Sequence, residues 1–141
     1  MADAPIIDWK IFQQARTELG ADFIRILGYF REDGTKSVAD IEEALRAKSS
    51  VAMVIPAHKL KGEADHFGAN VLADLAESIE ADARKCVEWR QTPDELITEV
   101  IKLRPLFDAT LAAFDAETNP LVERRGTGRR EGVTNQCFGR I

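Results

Sequence analysis

The chain has 141 residues, 45% hydrophobic and 30% charged, which fits one soluble globular domain with a real core. Its net charge of −5 is uneven: residues 121–141 carry five Arg and two Glu, a net of +3, which leaves −8 on the rest and argues against nucleic-acid binding. No apolar run approaches the roughly 18 residues of a membrane span, the first residues do not read as a signal peptide, and Cys86 and Cys137 form no metal or disulfide spacing, so a cytoplasmic, reduced protein is expected.

In chain order, Ile6, Ile7, Trp9, Phe12 and Leu19 predict a short amphipathic N-terminal helix, with Asp8 as its cap and Gly20 as its end. Asp22 is then placed to begin a second helix. Phe23, Leu27, Phe30, Gly34, Val38, Ile41 and Leu45 recur at steps of three and four, which predicts one long helix over about 22–47 with a weak point at Gly34. The competing reading is two helices broken at Asp33-Gly34-Thr35.

Ser49 and Ser50 offer a cap for the third helix. Met53, Ala57, Leu60, Ala64 and Phe67 form its core stripe, and Gly68 ends it. Val71, Leu72, Leu75, Ala76, Ile79, Ala83 and Cys86 give a fourth helix over about 69–90. Thr92-Pro93-Asp94-Glu95 reads as a helix start, with Thr92 as cap, Pro93 in the first turn and Glu95 closing a capping box. Leu96, Val100, Leu103, Phe107, Leu111 and Phe114 carry the last helix toward Asn119-Pro120, with a kink expected at Pro105. The expected fold is all-α: an antiparallel up-down four-helix bundle over residues 1–120, with the extra N-terminal helix capping one end. Residues 121–141 form a basic tail, docked or flexible.

On the third helix His58 lies about 140° from Met53, at about 100° per residue, so it points away from the core. Gly62 follows one turn later on the same outward face, with Lys61 beside it. A mid-helix Gly costs roughly 1 kcal/mol relative to Ala, and Pro56 two residues before the His costs more. Stability alone does not place both beside one displayed imidazole. A surface that another protein approaches closely has a use for the bare backbone.

These residues resemble a known family. Ala57-His58-Lys59-Leu60-Lys61-Gly62, followed by Gly68-Ala69, fills each position of the motif of the histidine-containing phosphotransfer (HPt) domain, and the likeness covers residues 8 to about 118. The resemblance implies a helical bundle that accepts a phosphoryl group on His58 from the aspartyl phosphate of one response-regulator receiver domain and passes it to another. It implies receivers as partners, with a hybrid histidine kinase among the candidates. It also implies a phosphocarrier with no ATP-dependent kinase activity and no cofactor of its own, the Mg²⁺ belonging to the receiver. No nucleic-acid or membrane partner is expected, and a monomer is.

The hairpin between the third and fourth helices sets a further expectation. With the turn centred at residue 69, His58 and Glu80 lie eleven residues to either side and reach similar height. Spacing leaves Glu80 as either a solvated carboxylate or a partner for His58; the resemblance, in which Glu or Gln often stands at this offset, favours the partner. Lys61 then supplies positive charge near the transferring group, and Lys59, Gly62 and Asp65 are candidate docking residues.

Two rival readings compete. Glu63-Ala64-Asp65-His66 matches the Glu-x-x-His di-iron motif, but Ile55 stands where a second copy, ending at His58, needs its Glu, so no metal site is expected. A non-catalytic helical-bundle interaction module needs no displayed His58.

Overall fold

The computed structural model describes residues 5–118. It contains five α-helices: α1 Trp9–Leu19, α2 Phe23–Arg46, α3 Ser50–His66, α4 Asn70–Glu88 and α5 Ile97–Thr118. Short 3-10 turns at Gly20–Asp22 and Asp94–Leu96 precede α2 and α5, and among the described residues there is no strand. The chain divides into two compact units, Met1–Thr110 and Leu111–Ile141. In the first, α2, α3, α4 and residues 97–110 of α5 form the antiparallel bundle, with α1 across one end. Of the second, only Leu111–Thr118 is described; there the Thr118 hydroxyl donates to the Phe114 carbonyl at 2.9 Å. The expected boundary at residue 120 and the basic tail lie outside the described residues.

The caps at Asp8 and Ser49 form as the sequence predicts. The Asp8 carboxylate accepts from the backbone N–H groups of Lys10 and Ile11, and the Ser49 hydroxyl accepts from Ala52 N–H. Two other expected starts differ. Asp22 makes no side-chain cap, because the 3-10 turn already hands helical backbone into α2; its carboxylate pairs with Arg25 at 2.9 Å instead. The capping box at Thr92–Glu95 does not form either. The Thr92 hydroxyl donates to Asp94 at 3.0 Å, Lys48 pairs with the other oxygen of Asp94 at 3.2 Å, and the segment makes a 3-10 turn before α5 begins at Ile97. The Thr92 hydroxyl is thus spent as a donor to Asp94 rather than as a cap.

Helix α2 is continuous through Gly34. Gly34 is buried, and a Cβ there would lie 2.5 and 2.7 Å from two ring atoms of Phe107 on α5. Phe107 in turn meets Phe30 with ring centroids 5.8 Å apart. The glycine is therefore a close approach of two helices rather than a break. Pro105 lies within α5, and the helix runs through it.

The α3–α4 connection positions the site. Phe67 and Ala69 are buried, and Gly68 takes φ +79°, a conformation that favours glycine. Ala69 N–H bonds back to the Ala64 carbonyl at 2.9 Å, closing α3 with a Schellman-like turn. Helix α1 packs here: Asp8 N–H donates to the Gly68 carbonyl at 2.7 Å.

Gly34→Ala tests the close approach. Helix propensity alone gains up to about 1 kcal/mol, while overpacking against Phe107 costs roughly 1–3 kcal/mol. Net destabilisation of about 1 kcal/mol is expected in urea unfolding; a stabilised variant would show that Phe107 moves freely.

Candidate functional site

The core stripe of α3 is buried at Met53, Ala57, Leu60, Ala64 and Phe67. His58 therefore faces outward, with 58% of its side chain exposed. On α4 the neighbours of Glu80 are Ile79 and Ala83, both buried, and Glu80 itself is only 7% exposed. Antiparallel packing about the Gly68 turn brings the two together: His58 Nδ1 lies 3.0 Å from Glu80 Oε2.

Two cations share this carboxylate. Arg84, one turn further along α4, donates to Oε2 from Nε at 3.0 Å and from Nη2 at 2.8 Å. Lys61 Nζ stands 3.9 Å from Oε1. Burial pushes the Glu80 carboxyl up, but hydrogen bonds and charge from Arg84 and His58 outweigh it and hold the group below its ordinary value. Glu80 is thus ionised at neutral pH and only accepts. In the neutral imidazole, Nδ1 must then carry the proton and Nε2 the lone pair. The arrangement displays a nucleophilic nitrogen at the surface, with its ring oriented from the buried side.

The other expected residues divide. Gly62 is exposed, and a Cβ there would meet nothing within 4 Å, so the backbone one turn after His58 is open. Asp65 is exposed on the same face, since seven residues return the helix to within about 20°. Lys59 is exposed about 100° round from His58; its charge acts on Glu63 rather than on the His58 cluster. Glu63 has one buried oxygen, Oε1, without a hydrogen-bond partner, and burial, with help from Asp33 of α2, raises its carboxyl despite Lys59. His66 is exposed and stacks on Phe67 with centroids 5.0 Å apart. Among the described residues no group of three or more His, Cys, Asp or Glu is placed to hold a metal ion, and no helix is long and apolar enough to cross a membrane.

Two features were missed in the sequence. Arg84 stands four residues after Glu80, the spacing of an ion pair on one helix face. An apolar groove of about 340 Å³ lies between the start of α3 and the end of α4, lined by Val51, Val54, Ile55, Arg84, Val87 and Glu88. Its readable sign was that Val51 and Ile55 sit seven and three residues before His58, on the same outward face.

The family model of the Hpt domain matches residues 25–116. The fold is similar to the crystal structure of histidine-containing phosphotransfer protein B from Pseudomonas aeruginosa PAO1, with a TM-score of 0.70 at 22% identity over 82% of this chain and 96% of that one. No curated protein matches the chain in sequence.

The lowered Glu80 value predicts a pH dependence of stability. A carboxyl whose folded pKa lies below its unfolded one contributes stability that is fully present above the unfolded value, about 4.3. That contribution is lost as pH falls through the folded value. Urea midpoints measured from pH 6 to pH 3 should fall more steeply for the wild type than for Glu80→Gln, which lacks this titration. Parallel curves would show that Glu80 gains nothing from its partners.

Proposed function

Because the chain belongs to the Hpt domain family, we propose that it is a phosphorelay intermediate that accepts a phosphoryl group on Nε2 of His58 from a receiver-domain aspartyl phosphate and returns it to another receiver. The observation that carries this reading is the 3.0 Å contact between His58 Nδ1 and Glu80, which leaves Nε2 with its lone pair on the exposed side of the ring.

In the forward step the Nε2 lone pair attacks phosphorus, an N–P bond forms, and the P–O bond to the receiver's aspartate breaks with its electron pair leaving on the carboxylate. The ring gains positive charge while Nδ1–H stays on Glu80, which stabilises that charge as it develops. Lys61, beside Glu80, adds positive charge toward the phosphoryl oxygens. Transfer to the next receiver is the reverse. The receiver brings its own Mg²⁺, and this chain supplies the oriented nucleophile. Its role is that of a phosphocarrier rather than a kinase, in the cytoplasm with its receiver partners and any hybrid kinase that feeds them.

Docking uses the face that displays His58. Gly62 lets a partner's backbone come close, and the groove beside Val51, Ile55 and Val87 offers apolar surface for burial. Ile55, 62% exposed and one turn before His58, is well placed at its edge.

Incubation with a phosphorylated receiver should give acid-labile, alkali-stable phosphate on the protein. His58→Gln should abolish it and His66→Gln should not; label persisting on the His58 variant would refute the assignment. For docking, Ile55→Asp should leave stability within about 0.5 kcal/mol, as expected for an exposed site. It should also slow transfer roughly tenfold, the equivalent of 1.4 kcal/mol of lost apolar burial. An unchanged transfer rate would remove the groove from the docking surface.

A further inference from the structure

Three donors converge on one oxygen. Glu80 Oε2 receives His58 Nδ1 and both Arg84 Nε and Nη2, all within 2.8–3.0 Å. Resting on the reading of His58 as phosphoryl acceptor, we propose that Arg84 is a positioning residue: it holds the charge of Glu80, so that the carboxylate orients the His58 imidazole without converting it to imidazolium.

The need for such a residue follows from the contact itself. A carboxylate at hydrogen-bond distance fixes the tautomer through a charge-assisted bond, stronger than a neutral one. The same charge favours the protonated ring, and a protonated ring has no lone pair with which to attack phosphorus. Orientation and nucleophilicity therefore conflict unless the negative charge is met by another cation. Arg84 meets it on the very oxygen that His58 uses, with two hydrogen bonds from a group that stays charged at all working pH values. Burial pushes the Glu80 carboxyl up, and of the groups that bring it down Arg84 comes first and His58 second. Lys61 stands farther off, with Nζ 3.9 Å from Oε1.

The remaining charges near the ring come from two helices. Lys61 of α3 and Glu77 and Glu88 of α4 line the spaces on either side of the Glu80–Arg84 pair, while Lys59 of α3 acts on Glu63. Asp33 of α2 acts on Glu63, on another face of α3. Arg84 is the cation bonded to the oxygen that His58 shares, and it sits between the polar cavity and the apolar groove.

The test is a nitrogen-15 imidazole titration of the unphosphorylated full chain, without any partner, so it reads the charge balance even if phosphoryl transfer to His58 fails. Arg84→Gln should raise the His58 midpoint by roughly half a pH unit, as expected for one lost cation near an exposed group. Arg84→Lys, which keeps the charge, should stay near the wild-type midpoint. Glu80→Gln, which leaves no charge to hold, should lower it. The Arg84 side chain is 57% exposed, so neither substitution there removes core packing. With a phosphorylated receiver, Arg84→Gln should slow uptake about threefold below the midpoint and recover above it, a factor that follows from that half-unit shift. An unchanged or lowered midpoint in Arg84→Gln overturns the proposal. So does an Arg84→Lys midpoint that rises as far as that of Arg84→Gln, or a raised midpoint in Glu80→Gln. Absence of any uptake by the wild type would instead count against His58 as the acceptor.

Discussion

The turn at Phe67–Ala69 is the constraint on which the rest of the site depends. Each residue added to or removed from it rotates the following helix by about 100°, which would carry Glu80 away from His58. Three independent contacts fix it. Gly68 occupies a left-handed conformation at φ +79°, and a Cβ there would fall 2.5 Å from the Asp8 carbonyl oxygen. Asp8 N–H bonds to the Gly68 carbonyl, so the start of α1 clamps the turn from outside. Phe67 is buried inside, with its ring 6.0 Å from that of Phe23 and 5.6 Å from that of Phe30. The short N-terminal helix thus bears on the geometry of the site from a distance: it holds the turn that sets the register of α3 against α4.

Within that register the site keeps the Glu80 carboxylate and the His58 imidazole in different environments. Glu80 is buried beside the α3–α4 seam, where its position is over-determined by Ile79 and Ala83 in the core. His58 is mostly exposed and free to meet a large partner. A buried carboxylate alone would be costly; three donors on one of its oxygens offset that cost while directing the ring. Glu63 shows the contrast. It too has an oxygen out of water, but with no hydrogen-bond partner there its carboxyl rises rather than falls. The two glutamates shift in opposite directions because Glu80 has donors bonded to its buried oxygen, whereas Glu63 feels Lys59 only through space and has Asp33 nearby.

The apolar stripes, the Asp8 and Ser49 caps and the displayed His58 were legible in the sequence, because each depends on residues within a turn or two of one another. Continuity through Gly34 was also read from the stripe, but the reason for a glycine there was not, since the residue type pointed to a weak point. The contact that decides, with Phe107, comes from another helix. The Thr92 capping pattern gave way to a bond from its hydroxyl to Asp94, a residue that Lys48 of the α2–α3 connection also pairs with. Glu80 could be placed at the right height from spacing, but its burial depends on how α3 and α4 face each other, which a wheel drawn for one helix does not contain. Arg84 was visible as an i,i+4 partner of Glu80, yet that spacing describes many surface pairs of little consequence. Its importance comes from the third group on the same oxygen.

Arg84 also links the two halves of the proposed docking face. Its stem lines the groove formed by Val51, Ile55 and Val87, while its guanidinium is held on Glu80, a division common for long cationic side chains. A partner surface laid over that groove excludes water from around the stem and lowers the effective dielectric near the ion pair. The attraction between Arg84 and Glu80 strengthens under those conditions, and with it the fixed position of the oxygen that orients His58. One side chain thus spans the groove proposed for docking and the carboxylate that holds His58 Nδ1.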